Sequence, residues 1–549
     1  MRKLYLGLVL LLGLTAAHGN TAYREILEAS YPSDGPGAAV LVVKKGEVVY
    51  RDAHGMANIE LGVPLRPDHV FRLGSITKQF TGAAIMLLVE EGKVDLDAPI
   101  QTYLPDYPDH GHTITTRHLL THTSGIFSYT SIPGYMGSGE IRADLTTDEL
   151  VEVFDDLEMN FAPGERYSYS NSGYVLAGAI IEKVSGMSYA DFVQQRIFDP
   201  LGMTNSHYGG PQMIPGRASG YSQDGEGVVN AEFLSMTQPH AAGSLLSSVD
   251  DMQKWNEALF GGEILSKESM AEMIKPFELN DGEESRYGLG LSVEEFRGET
   301  SVSHGGGIHG FTTHGRWLPD QDIYVIALTN TNGQSPQYLA DRLASVAMGR
   351  PHDPQPAADL DESALQELTG AYQVAEGDIR NIFLQDGRLY SQRTNSGRFP
   401  VIVTDKDTIY YEESFTYARF KRNRKGEVVE MKFYPDGATR PQTVKRIGPP
   451  EQGGERVAAN VSPEMYDLWA GEYEIQPGFT MVITRQGDSL MSQATGQPMF
   501  ELVPASATRY FVREFPAELE FTAGDDGRAS QLTLYQGGQE MVAPRVGEG

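Results

Sequence analysis

The residues from Leu368 onward recur 101 positions later, and this recurrence restricts the last third of the chain to two copies of one small fold. Leu368-Thr369-Gly370-Ala371-Tyr372 is answered by Trp469-Ala470-Gly471-Glu472-Tyr473. Leu389-Tyr390-Ser391-Gln392 is answered by Leu490-Met491-Ser492-Gln493, and Phe420 and Gly426 by Phe521 and Gly527. The offset needs no gap, which is the mark of a duplicated domain. Each copy alternates apolar with polar residues, clusters aromatics and carries Asp-Gly or Lys-Gly turns. That pattern predicts a meander of about eight antiparallel strands closed into a small barrel. Pro449-Pro450-Glu451-Gln452-Gly453-Gly454 reads as the linker between copies, and the proline-rich Arg350 to Ala357 as the linker ahead of them.

The first 349 residues have a different texture. Ala39 to Lys44 and Val48 to Ala53 are β-rich runs joined through Lys45-Gly46-Glu47, a hairpin signal. Helix-like segments follow at 75–91, 116–121, 147–156, 173–185, 249–259 and 267–274. Strand-like segments return at 287–294, 301–303, 311–317 and 322–329, and a last helix is predicted from Pro336 to Ala347. Strands at both ends with helices between fit an α/β (α+β) sandwich, an antiparallel sheet with a helical subdomain inserted. A cleft is expected between the two parts.

Three short motifs fall where such a cleft would lie. In Ser75-Ile76-Thr77-Lys78 the serine and lysine, three apart at the head of a helix, share one face. A desolvated neutral lysine can take a serine proton, and a helix N-terminus offers N–H groups to a developing oxyanion. Serine is also simply a good helix cap, so the motif alone is weak. Tyr169-Ser170-Asn171 follows a Pro163-Gly164 turn and precedes an apolar helix. A tyrosinate near a cation can serve as proton acceptor, and the Asn171 amide can bond both a lysine and a substrate carbonyl. The third motif is Ser303-His304-Gly305-Gly306-Gly307, whose glycines let backbone pass close to a ligand.

The order S-x-x-K, Y-x-N, H-x-G resembles the serine β-lactamase and penicillin-binding-protein superfamily. The branch it most resembles is the class C β-lactamase-related one, which also holds D-aminopeptidases (peptidase family S12), D-Ala-D-Ala carboxypeptidases and carboxylesterases. Phe71-Arg72-Leu73-Gly74, Leu119-Leu120-Thr121-His122-Thr123-Ser124-Gly125, Pro200-Leu201-Gly202-Met203 and Ala242-Gly243-Ser244-Leu245 look like the same branch. The resemblance spans about residues 22–348. It implies a sandwich of the β-lactamase/transpeptidase type, and the two appended copies resemble the lipocalin-like barrels of the D-aminopeptidase architecture. It implies Ser75 as nucleophile forming an acyl-enzyme, and Lys78 and Tyr169 sharing the proton transfer. Asn171 would orient Lys78 and substrate, and the N–H groups of Ser75 and Gly307 would form the oxyanion hole. Gly305 and Gly306 would lie along the substrate. His304 stands where many relatives carry lysine, a permanent cation suited to a substrate carboxylate. A mostly neutral histidine there favours esters, amides or peptides read from the amino end.

The expected organisation is thus a signal peptide at 1–19, a catalytic domain at 20–349, a linker at 350–364, a first barrel at 365–448, a linker at 449–462 and a second barrel at 463–549. Met1-Arg2-Lys3, the apolar Leu4–Leu14 and the small residues up to Gly19 read as a cleavable leader, so a periplasmic or secreted location is expected. The alternative is an uncleaved anchor, which the short apolar run disfavours. The chain has no cysteine, which removes disulfides, thiolate zinc sites and cysteine nucleophiles together. Its net charge of −30 argues against nucleic acid and anionic membranes as partners and leaves a small-molecule or peptide substrate. His118 and His122 have metal-ligand spacing but lack the glutamate of H-E-x-x-H, so neither a metal nor a cofactor is expected. The expected activity is an exported serine hydrolase of esters or amides, D-amino-acid peptides included. The rivals are a class C-like β-lactamase or D-Ala-D-Ala carboxypeptidase, and a catalytically silent binding or sensor protein. The resemblance also leads one to expect that the second barrel reaches the cleft, through Thr508–Pro516. The alternative is that this segment is an ordinary barrel strand.

Overall fold

A strand buried on both faces is apolar along its whole length, and two such strands centre the first sheet. The structure is a computed structural model that describes residues 21–547 apart from 133, 225–226, 334, 353–354, 376–377, 386, 395, 451–460, 477–478, 488, 496–498, 513–516, 525–526 and 537–538. The expected leader at 1–19 and most of the second linker lie outside the described residues. The chain parts into two compact units, one reaching to residue 353 and the other running from 354 onward and taking in residues 136–138.

In the first unit β1 (Ala38–Lys44) and β2 (Glu47–His54) form the expected hairpin. They join β3 (Ser292–Phe296), β4 (Glu299–Ile308), β5 (Phe311–Leu318) and β6 (Ile323–Thr329) in one antiparallel sheet of order β3-β4-β5-β6-β1-β2. Every residue of β6 is buried, as are Ala38 to Val43 of β1, which matches their unbroken apolar sequence. Tyr287 to Leu291, expected to be strand, precede β3 as a turn held by a Tyr287–Ser292 bridge. The glycine run expected to follow a short strand at 301–303 is itself strand: β4 continues through His304, Gly305, Gly306 and Gly307. Beyond Ser303, β4 pairs only with β5, because β3 begins at Ser292 opposite Ser303. The glycine-bearing end of β4 is therefore a sheet edge.

The helical part starts with α1 (Thr77–Glu90), whose residues from Thr77 to Met86 are all buried, so it runs through the core and not along the surface. It is followed by α2 (Thr116–Leu120), α3 (Asn171–Ser185) and α4 (His240–Gly243). Helices α5 (Val249–Gly261) and α6 (Pro336–Ala347) pack against β1, β5 and β6. Trp255 of α5 stacks on Phe80 at 4.1 Å between ring centroids and donates its Nε1–H to Gln79 Oε1 at 3.1 Å, a buried core aromatic. A buried ion pair ties β5 to α6: Arg316 Nε donates to Asp341 Oδ1 at 2.8 Å, with 2% and 3% of the side chains exposed. Arg316 also donates to Ser301 Oγ and lies over the Phe296 ring.

The second unit holds two closed eight-stranded barrels. Helix α7 (Glu362–Leu368) leads into β7 (Gly370–Ala375), β8 (Asp378–Gln385), β9 (Arg388–Arg393), β10 (Arg398–Asp405), β11 (Thr408–Tyr411), β12 (Tyr417–Arg422), β13 (Val428–Tyr434) and β14 (Gln442–Gly448). Helix α8 (Pro463–Trp469) leads into β15 (Gly471–Gln476), β16 (Phe479–Gln486), β17 (Ser489–Ala494), β18 (Phe500–Pro504), β19 (Arg509–Val512), β20 (Ala517–Ala523), β21 (Ala529–Gln536) and β22 (Gln539–Gly547). The strand registers repeat at the sequence offset of 101: Val401 faces Tyr411 where Leu502 faces Val512, and Ala418 faces Phe433 where Leu519 faces Leu534. Only the closing strand departs. Tyr372 pairs with Arg446 and Tyr473 with Arg545, an offset of 99, so the last hairpin of the second barrel is two residues shorter. Of the segment Thr508–Pro516, residues 509–512 are the barrel strand β19, with Tyr510 fully buried, and 513–516 lie outside the described residues.

Removing one partner of a buried pair leaves the other charge uncompensated. Asp341→Ala should therefore destabilise the first unit by about 3–5 kcal/mol, read as a lower urea midpoint. A loss under about 1 kcal/mol would show that water reaches Arg316 as soon as its partner is gone.

Candidate active site

The chain reaches Ser75 through a conformation that only glycine takes easily. Gly74 has φ +55°, and a Cβ on it would stand 2.9 Å from Gly307 N. Ser75 sits in the resulting 3-10 turn, Gly74–Ile76, one turn ahead of α1 and not as a helix cap. Across from it, a Cβ on Gly306 would fall 2.0 Å from Leu73 O, and Thr313 Oγ1 donates to that same carbonyl at 2.7 Å. These close approaches lock the Leu73–Ser75 segment against the edge of β4. Gly307 is exposed, with nothing within 4 Å of where its Cβ would be, so open space lies in front of it. The Gly305 carbonyl bonds the His304 ring, and Gly306 backs onto Leu73.

Lys78 is the second residue of α1 and is wholly buried. Its Nζ is 2.8 Å from Asn171 Oδ1, 2.8 Å from Ala242 O and 3.1 Å from Ser75 Oγ. Burial pushes the amine well below its usual pKa. A neutral amine has two N–H bonds and one lone pair. The two carbonyl oxygens can only accept, so they take the two hydrogens and the lone pair is left facing the serine hydroxyl. Asn171 is held in that orientation because its Nδ2 donates to Thr130 Oγ1 at 2.9 Å. It stands at the first position of α3, whose cap Ser170 accepts from Gly173 N–H.

Tyr169 precedes that cap and is 38% exposed, at the mouth of the site. Desolvation of the phenol by the packed protein around it raises its pKa above the ordinary value, and the nearness of Ser75 offsets this in part. Lys78 Nζ lies 4.7 Å from the centre of its ring. His304 is buried. Its Nδ1 is 2.5 Å from Gly305 O, which can only accept, so Nδ1 carries the proton and Nε2 receives the Tyr287 hydroxyl at 2.7 Å. Burial lowers its pKa to about 3, so it is neutral at physiological pH. The six residues expected to do the chemistry, Ser75, Lys78, Tyr169, Asn171, His304 and Gly307, thus gather around one opening.

Three contributors carried no sequence signal or were read otherwise. The Ala242 carbonyl is backbone, which leaves no trace in residue type. Tyr287, the partner of His304, fell in a segment expected to be strand. His122, weighed only for its metal-ligand spacing, accepts the Ser170 N–H on Nδ1 at 3.1 Å and lies 4.1 Å from the Tyr169 ring, centroid to centroid. His118, its companion in that spacing, instead uses Nδ1 to accept the Thr115 N–H and completes the cap of α2.

A family model described as Beta-lactamase matches residues 27–348, and one described as Domain of unknown function (DUF3471) matches residues 455–544. Penicillin-binding protein 4* of Bacillus subtilis (strain 168) is 27% identical over 530 residues, 92% of this chain and 94% of that protein. A D-aminopeptidase of Gluconobacter oxydans (strain 621H) is 30% identical over 341 residues, 60% of this chain and 62% of that enzyme's length. Among solved structures, the D-amino acid amidase from Ochrobactrum anthropi SV3 complexed with L-phenylalanine amide is 29% identical. It aligns with a TM-score of 0.54 over 60% of this chain and 99% of its own.

If the buried amine is neutral, Ser75 is reactive without extreme alkalinity. Labelling by a fluorophosphonate should speed up with rising pH, because the deprotonated amine is the active form, and should level off well below the usual lysine pKa of about 10.4. A rate still climbing at pH 10 would mean that Lys78 stays charged in the folded protein.

Proposed function

The chain belongs to the Beta-lactamase family and is a serine hydrolase, and we propose that it is exported and cleaves amides or esters read from the amino end, D-amino-acid amides and peptides among them. The observation that carries this reading is the uncharged His304 beside a complete Ser75–Lys78–Asn171 set. No fixed cation is available at that position to receive a substrate carboxylate, which a β-lactam or a D-Ala-D-Ala terminus would present. The likeness to a D-aminopeptidase and a D-amino acid amidase supports the same substrate class. Export rests on the leader-like first nineteen residues.

In this reading Ser75 Oγ attacks the carbonyl carbon and its proton moves to the lone pair of Lys78 Nζ. The oxyanion forms where the N–H groups of Ser75 and Gly307 meet the open space before Gly307. Lys78 then holds a third N–H, and Asn171, Ala242 and Ser75 offer three oxygens around it. Tyr169, neutral and beside Ser75, carries a proton on to the leaving amine or alcohol. Water enters by the reverse route to release the acyl group. The structure favours lysine over tyrosinate as the base, because burial pushes the lysine toward its basic form and the phenol away from its own.

The deciding experiment is a panel of D-Ala-nitroanilide, its L-isomer, short-chain nitrophenyl esters and nitrocefin. The D-anilide and the esters should turn over and nitrocefin should be poor, with Ser75→Ala losing about 10³-fold or more in kcat. Nitrocefin as the preferred substrate would instead make the enzyme a β-lactamase.

His304→Lys supplies the missing cation. It should lower KM for nitrocefin by about tenfold, the worth of one good charge-assisted contact, and leave the D-anilide unimproved. Equal effects on both substrates would detach His304 from carboxylate discrimination.

A further inference from the structure

The two barrels share one register, so each inward position of the first has a counterpart in the second, and a side chain present in only one of them is not demanded by the fold. Arg446 and Arg545 occupy equivalent places on the closing strands. Each donates through Nη2 to a backbone carbonyl just before the first strand, Thr369 O at 2.5 Å and Ala470 O at 2.6 Å. An arginine kept in both copies in the same bond is part of the barrel's construction.

Arg380 on β8 has no such twin. It is partly exposed, two residues from the fully buried Ile382 and on the same side of the strand. Its Nη1 donates to Tyr411 Oη at 2.9 Å and is 3.4 Å from Ser391 Oγ, and the guanidinium lies 4.0 Å from the centre of the Phe433 ring. Ser391, Tyr411 and Phe433 are buried. Asp378, two residues back, bonds Arg393 Nε through both of its oxygens, and one of them also takes Nη2. Among the described residues Arg380 has no ion pair. In the second barrel the counterparts of Asp378, Arg380, Arg393, Tyr411 and Phe433 are Phe479, Met481, Ala494, Val512 and Leu534. All five belong to that barrel's apolar core. The same fold therefore closes here without a charge.

We propose that this end of the first barrel is a binding site for the carboxylate of a small apolar acid, held by Arg380 and the hydroxyls of Tyr411 and Ser391. A guanidinium is attracted to an aromatic face, and its planar fork also matches a carboxylate in two parallel hydrogen bonds, which would supply the counter-charge that no described residue gives Arg380. The Tyr411 and Ser391 hydroxyls, 2.5 Å apart, share one proton between themselves and can turn the other toward an acceptor. The Phe433 face gives the body of the acid an apolar wall. Ile382, Val401 and Met431 belong to the buried apolar core of the same barrel, so the body of the acid is taken to be short.

The test is titration calorimetry of the whole chain with hexanoate, with inorganic phosphate and hexylamine as comparisons. Hexanoate should bind saturably and at least tenfold more weakly to Arg380→Met, the residue the second barrel uses at this place. Phosphate and hexylamine should not compete. On the wild-type chain, hexanoate should protect Arg380 from phenylglyoxal, read by peptide mass spectrometry, which needs no variant to fold. Equal affinity in folded Arg380→Met, phosphate binding as tight as hexanoate, or no protection of Arg380 would each overturn the proposal.

Discussion

The first unit is organised around an amine that water does not reach. Among the described residues no carboxylate pairs with Lys78 Nζ; it is held by an amide oxygen 93 residues away and a backbone carbonyl 164 residues away. A charged ammonium in that place would be costly, and the neutral amine is what this surrounding stabilises. Helices α1, α3 and α4 meet at this point, so the same contacts that position the lysine also fix the helical part against itself. Thr81, one turn further along α1, repeats the arrangement by donating to Ala241 O at 2.6 Å. A change that loosened α4 would be felt as a shift in the basicity of Lys78 before it was felt as unfolding.

Around the amine the site is aromatic and uncharged. His122, Tyr167, Tyr169, Tyr174 and Tyr287 crowd one another with ring centres 4.1–5.8 Å from the His122 ring. Burial holds both His122 and His304 neutral. Charge that develops during a reaction would find few competing ions, and the donors facing it are backbone N–H groups already fixed by a sheet edge and a 3-10 turn. Preorganised dipoles of this kind act without having to reorient.

How much of this was legible in the residues differs by kind of contact. Side chains in fixed spacing, such as Ser75 and Lys78, announced themselves, and so did the duplicated barrels, whose constant offset survives as matching strand registers up to the last hairpin. The apolar runs of β1 and β6 read correctly as strands, and their burial on both faces came from the structure. The strand character of His304–Gly307 did not, because three successive glycines have low strand preference and only the pairing with β5 holds them extended. The Ala242 carbonyl and the Tyr287–His304 bond were invisible for a related reason: one is backbone, and the other depends on a turn where a strand was expected.

Each barrel is shut by pairing its first strand with its last, Tyr372 with Arg446 in one and Tyr473 with Arg545 in the other. Neither strand can be satisfied alone, so closure must wait for contacts between residues more than seventy positions apart, a slow kind of contact to form. Shortening a barrel from either side would not yield a smaller barrel. It would uncover two rows of unpaired backbone groups at once, and such edges recruit strands from other molecules. The seam that makes these barrels self-contained is thus also where damage to them would turn into self-association.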